Sequence, residues 1–123
     1  MRIIFSNEKL ESQCTSVKEA TGFFGGNVIL ARSLLACVNS LIQAENMKDI
    51  IACYKYHFHK LINKKRRNLE GYFAIDVKTR KEQWRIIVQP LDDDLNVFKP
   101  CNIDEIAGIV KVLEIVEVTK HYE

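Results

Sequence analysis

Residues 71–89 read GYFAIDV, then KTRKEQ, then WRIIVQ, and this stretch decides the class of fold. In its first part Phe73, Ile75 and Val77 alternate with other residues at the period of a half-buried strand. A polar turn follows, and Trp84–Gln89 then predicts a second strand, which we expect Pro90 to end. Strands joined by a short turn pair antiparallel, so the stretch predicts the centre of an antiparallel sheet.

The first third of the chain predicts two helices. Ser6 or Asn7 is a suitable N-cap for the first, and Asn27 for a longer helix that runs to about Ala44. Both segments repeat apolar residues at helical spacing, so each has one face suited to packing on a sheet. Between them, a turn is predicted by the glycines at 22, 25 and 26.

Two further strands and two short helical pieces complete the prediction. Arg2–Phe5 is rich in β-formers, and Val110–Thr119 is dense in Val and Ile, so both are predicted strands. Residues 47–54 and Asp104–Ile109 predict short helical pieces. We therefore expect one domain over residues 1–123, an α+β fold in which two N-terminal helices pack on a curved antiparallel sheet.

Composition bounds the functional class. The 123 residues are 47% hydrophobic and 28% charged, which is typical of a globular domain. No apolar run approaches the roughly 20 residues of a membrane span, and the N-terminus becomes charged too soon for a signal peptide. The four cysteines form no CxxC pair, so we expect buried, reduced thiols and no metal or cofactor in a cytoplasmic protein.

The charge is concentrated in one segment. The whole chain has a net charge of +2, but residues 55–85 carry ten lysines and arginines against three carboxylates. Such a basic segment attracts polyanions, and RNA or DNA is the usual partner. The alternative is a solvated basic loop.

Three parts of the sequence supply groups suited to phosphate chemistry. Arg85 lies inside a predicted strand, and we expect it on the open face, because an unpaired charge is costly to bury. A basic cluster, 64–67, precedes the hairpin, and the chain ends in Lys120, His121, Tyr122 and Glu123. Cations, an imidazole and a phenol together suit attack of an RNA 2′-hydroxyl on its neighbouring phosphate.

Each of these residues also has a purely structural interpretation. Arg85 can instead pair with Asp76 on the adjoining strand. His57 and His59 can be packed polar aromatics, and the terminal His-Tyr can be a frayed tail.

The order of motifs resembles the HigB branch of the RelE-like toxins. The resemblance rests on His59-Lys60-Leu61, the basic cluster, Gly71–Val77, Trp84–Pro90 and the ending Ile115–Tyr122. It implies a metal-independent mRNA endonuclease of a bacterial type II toxin–antitoxin pair, which cuts mRNA in the A site of the 70S ribosome. The implied partner is a HigA-like helix-turn-helix antitoxin, and operator DNA would be bound only through that antitoxin.

The resemblance also implies roles for individual residues. Arg85 matches the arginine of the family's central strand, which implies that it contacts the scissile phosphate together with Arg66 or Arg67. His59 matches the family's histidine before the basic loop. Arg66 or Arg67 matches the family's basic residue before the glycine that corresponds to Gly71. The resemblance further implies that His121 transfers a proton and that Tyr122 stacks on a base. Further RNA contacts are expected from the cations at Lys60, Lys64, Lys65, Arg80 and Lys120.

Two alternatives belong to other functional classes. One is a non-catalytic toxin of the same fold that poisons DNA gyrase, as ParE-like relatives do. The other is a basic module that binds RNA or the ribosome without cutting. The histidine and tyrosine near the chain end favour the nuclease, since a gyrase poison has no use for a proton carrier there.

Overall fold

A computed structural model describes residues 1–61 and 69–120. Its helices are α1 (Glu8–Thr15), α2 (Val17–Phe23), α3 (Val28–Gln43), α4 (Met47–Ile51) and α5 (Ile103–Ile106), with a 3-10 turn at Tyr54–Tyr56. Its strands are β1 (Arg2–Phe5), β2 (His59–Lys60), β3 (Phe73–Asp76), β4 (Arg85–Leu91) and β5 (Val112–Thr119). The α+β class is confirmed.

The five strands form one sheet in the order β1-β5-β4-β3-β2. The pairs β2–β3, β3–β4 and β4–β5 are antiparallel, as predicted for the hairpin. However, β1 pairs with β5 in parallel, so the expectation of a wholly antiparallel sheet was wrong. The helices α1 to α4 lie in sequence between β1 and the rest of the sheet, which allows this parallel crossover.

The N-terminal helices differ from the two that we predicted. Ser16 is extended (φ −124°, ψ 123°) and its hydroxyl accepts a hydrogen bond from the Glu19 amide, so it ends α1 and caps α2. The predicted first helix is therefore two helices. The caps Asn7 and Asn27 are confirmed, since their side chains accept from the amides of Leu10 and Leu30.

Strand β4 runs through Pro90, which we expected to end it. Pairing with β3 stops at Val88, whereas pairing with β5 continues to Leu91. A proline lacks an amide hydrogen, so it is tolerated where one side of a strand is no longer paired. The sheet register shifts between Ile87 and Val88, which makes a bulge against β5.

The two faces of the sheet are both apolar at the centre. On the face that packs against α1–α3, the core includes Leu34, Phe73, Ile75, Ile86 and Ile115. On the opposite face, which we call the second face, a smaller buried cluster is formed by Leu61, Leu69, Ala74 and Ile87. Among the described residues no helix is both long and apolar enough to cross a membrane.

Candidate functional site

Arg85 is the sequence-predicted site residue that the structure locates most fully. It begins β4 on the second face, opposite Asp76 of β3 on one side and Thr119 of β5 on the other. Its residue is 7% exposed, so the expectation of an arginine exposed on an open face was wrong. Its Nε lies 2.9 Å from Oδ1 of Asp76, which confirms the alternative of a pair between adjoining strands.

The rest of the Arg85 guanidinium holds the β3–β4 turn. Nη1 donates to the carbonyl oxygens of Glu82 and Trp84, and lies 3.5 Å from that of Thr79. Nη2 donates to the carbonyl oxygen of Arg80 at 2.9 Å. The buried arginine is thus stabilised by a carboxylate and by backbone carbonyls. Its donors are engaged within the fold rather than directed at solvent.

Two histidines lie beside this pair. Nδ1 of His57 is 3.4 Å from Oδ1 of Asp76, and the rings of His57 and His59 have centroids 4.6 Å apart. Nδ1 of His59 is 2.7 Å from the carbonyl oxygen of His57. His59 is in β2 opposite Ala74, which puts its side chain on the second face. The prediction that these histidines pack as polar aromatics is consistent with the ring contact.

The three other predicted RNA-binding cations that the structure describes are exposed. Lys60 is on β2, an edge strand of the sheet, and Arg80 is in the β3–β4 turn held by Arg85. Nζ of Lys120 lies 5.7 Å from the centroid of the Trp84 ring. That ring packs edge-on against Phe23 and Phe24, on the helix-covered side of the sheet. The Lys120 ammonium is therefore turned away from the face that holds Arg85.

The other predicted site residues lie outside the described residues. They are Lys64, Lys65, Arg66, Arg67, His121 and Tyr122. The described chain does fix where these segments attach. Leu61 and Leu69, on either side of 62–68, are both buried in the second-face cluster, and Thr119 pairs with Arg85.

Sequence reasoning named the Arg85–Asp76 pair as an alternative but missed that His57 and His59 lie beside Asp76. The signal was present, because Asp76 shares its strand face with Ala74 and stands across from Arg85. The spacing of His57 and His59, two residues apart, also allows both side chains to face one side of an extended segment. Neither feature predicts that these side chains lie together, because that depends on the register of β2, β3 and β4.

The cysteines are free thiols in two settings. Cys14 and Cys37 are buried, as expected, whereas Cys53 and Cys101 are only half-buried. Burial raises the pKa of both the Cys14 and Cys37 thiols from 9.0 to about 12, so they stay protonated at neutral pH. They are unsuited to a nucleophilic role.

No protein-family model matches the sequence, and no significant match was found among curated proteins or solved structures.

Proposed function

We propose that the protein is a ribosome-dependent mRNA endonuclease, the toxin of a type II toxin–antitoxin pair. It acts in the cytoplasm on mRNA in the A site of the 70S ribosome. Its partner is a HigA-like helix-turn-helix antitoxin. The toxin binds operator DNA only as part of the complex with that antitoxin. The proposal joins the RelE-like order of motifs in the sequence with an α+β fold in which Arg85 lies in a central strand.

One observation carries the proposal. The basic segment 62–68 leaves and rejoins the sheet at Leu61 and Leu69, both buried with Ile87 on the second face. The last strand ends with Thr119 beside Arg85. His121 follows two residues later in the sequence. Phosphate-binding cations and proton carriers are thus attached to one region.

The proposed reaction is transesterification at the RNA backbone. The 2′-oxygen attacks phosphorus as its proton passes to a base, and the P–O5′ bond breaks as the 5′-oxygen gains a proton. The products are a 2′,3′-cyclic phosphate and a free 5′-hydroxyl. No metal ion takes part, and the side chains need only move protons and stabilise charge.

The burial of Arg85 changes the division of roles. Because its donors are held by Asp76 and by backbone carbonyls, we assign Arg85 to positioning rather than to the phosphate. Stabilisation of the phosphate then falls to the basic segment, with Arg66 or Arg67 as its principal group and Lys64 and Lys65 beside it. The exposed Lys60, Arg80 and Lys120 contribute to RNA attraction at longer range.

The proton carriers are histidines at two places. His121 is the first candidate, with Tyr122 stacking on a base. His59 is the second, since its ring is oriented by the carbonyl oxygen of His57. Replacing each separately distinguishes the two assignments.

The test is cleavage of ribosome-bound mRNA in a purified translation mix with EDTA-treated toxin. The wild type should cut the message and leave cyclic phosphate ends, and His121→Gln should lower the rate by about 100-fold or more. Glu123→Gln, a change at the same chain end with no proton-transfer role, is the matched control and should cut normally. Uncut message with any dose of folded wild type would refute the proposal.

The same mix separates the alternatives. Inhibited DNA supercoiling with intact message would identify a gyrase poison instead. Ribosome binding with intact message and normal supercoiling would identify a binding module.

A further inference from the structure

The residues His57, His59 and Asp76 have the geometry of a metal-binding group. One ligand atom from each can be chosen so that all three lie within 4.8 Å of one another. Nδ1 of His57 and Oδ1 of Asp76 are 3.4 Å apart. Two ligands of a tetrahedral Zn²⁺ ion with bonds of about 2.1 Å are separated by about 3.4 Å, so this pair already has the required spacing.

His59 is oriented as metal-binding histidines commonly are. Its Nδ1 lies 2.7 Å from the carbonyl oxygen of His57. A carbonyl oxygen can only accept, so in the neutral ring Nδ1 carries the proton and Nε2 has the lone pair. A backbone carbonyl that fixes the tautomer and the ring in this way is a recurrent partner of histidine ligands.

Asp76 supplies a buried carboxylate directed at the histidines. Its residue is 1% exposed, and neither carboxylate oxygen makes an aligned hydrogen bond to any of the described residues. Oδ1 lies at ion-pair distance from Arg85, but the Nε hydrogen is not aligned with it. Beyond its ion pair with Arg85, the Asp76 carboxylate has no aligned hydrogen bond among the described residues, so a bound cation would add to the stabilisation of this buried charge. Arg85 would then be the outer contact that orients the carboxylate.

The backbone at His57 is consistent with a constrained site. Its φ of 45° and ψ of 47° lie in the left-handed region, which is unfavourable for most residues other than glycine. Such conformations persist where the surroundings compensate for them, and they are concentrated at functional sites.

We propose that His57, His59 and Asp76 bind one divalent transition-metal ion of the Zn²⁺ class. Two imidazole nitrogens and one carboxylate oxygen are ligands that Zn²⁺ favours, and three protein ligands leave a position for water. Candidate ligand atoms of the three residues lie within 4.8 Å of one another, so side-chain adjustment is needed to bring all three to the tetrahedral spacing. The ion would fasten residues 57–59 to β3, immediately before the chain enters the basic segment. The ion takes no part in the proposed cleavage: a metal-bound His59 has both ring nitrogens engaged, so proton transfer in the metal-bound protein is left to His121.

The test is calorimetric titration of the full chain with Zn²⁺ alone, in a reducing buffer after chelator treatment. We expect one equivalent to bind and to raise the melting temperature. His59→Gln and His57→Asn should each weaken binding at least about tenfold. Asparagine tolerates the left-handed backbone, so His57→Asn keeps the local fold. Asp93→Asn, in an exposed acidic run, is the matched control and should bind normally.

Co²⁺ absorption spectra identify the ligands. A spectrum with d–d bands but no thiolate charge-transfer band would support the site, whereas a thiolate band would place the ion on cysteine and refute it. Absence of Zn²⁺ binding, or unchanged binding by both histidine variants, would also refute it. Because the assay contains no RNA, its outcome is independent of the cleavage experiment.

Discussion

Nε of Arg85 lies 2.9 Å from Oδ1 of Asp76, and both residues are buried between adjacent strands. The same guanidinium donates to the carbonyl oxygens of Arg80 and Trp84, so one side chain joins β3, β4 and the turn between them. An arginine at this position is therefore required by the fold. A loss of activity on its replacement would not by itself identify a catalytic group.

Removing one partner of this pair should strongly destabilise the protein. Arg85→Ala leaves the Asp76 carboxylate buried without its counter-ion, and such changes cost about 3–5 kcal/mol of unfolding free energy. Arg85→Lys should also destabilise, because an ammonium cannot reproduce the planar set of donors. Urea denaturation followed by circular dichroism measures both.

The matched control for this prediction is Arg80→Ala. Its side chain is exposed, and only its backbone carbonyl bonds to Arg85, so the change should stay within about 0.5 kcal/mol. Equal stability of Arg85→Ala and the wild type would contradict the structural role.

A second prediction concerns the cap of the longest helix. Asn27→Ala removes the side chain that accepts from the Leu30 amide at 3.0 Å, and should cost about 1 kcal/mol. Asn102 occupies the equivalent position of α5 but makes no side-chain cap bond. Asn102→Ala should therefore cost distinctly less in the same thermal melts. Equal losses for the two variants would show that the Asn27 cap is not a source of stability.

Four of the five described strands were predictable because their signal is local, whereas the two-residue strand β2 was not predicted. Phe73, Ile75 and Val77 alternate at the strand period, and the structure buries all three on the helix-packed face. The caps at Asn7 and Asn27 were likewise read from single residues. The two predicted short helical pieces are confirmed as α4 and α5.

What the sequence did not predict depends on contacts between distant segments. The parallel pairing of β1 with β5 joins residues about a hundred positions apart, and no local pattern distinguishes it from antiparallel pairing. The burial of Arg85 depends on Asp76 standing opposite, which is a matter of register. The cluster of His57, His59 and Asp76 depends on the same register and therefore could not be predicted from the sequence.

A third prediction tests the turn between α2 and α3. Gly26 has a φ of +95°, which a residue with a Cβ adopts only under strain, so Gly26→Ala should cost about 1–2 kcal/mol. Gly22 lies inside α2 with open space around its Cβ position. Gly22→Ala should instead stabilise by up to about 1 kcal/mol, because alanine favours the helix. Thermal melts that changed in the same direction for both variants would contradict the assigned turn.

A fourth prediction follows from the buried thiol of Cys37. Burial raises its pKa from 9.0 to about 12, so between these values the unfolded chain has lost the thiol proton while the folded chain keeps it. The folded state binds more protons there, and stability must fall as the pH rises above 9. The contribution of one thiol to this slope is about 1.4 kcal/mol per pH unit. Cys37→Ala should remove this contribution to the slope, as measured by urea denaturation from pH 8 to pH 10.5.

Val38→Ala, a neighbouring core truncation without an ionisable group, is the control and should lower stability but keep the wild-type slope. A Cys37→Ala slope equal to that of the wild type would show that the thiol is not protected from ionisation in the folded protein.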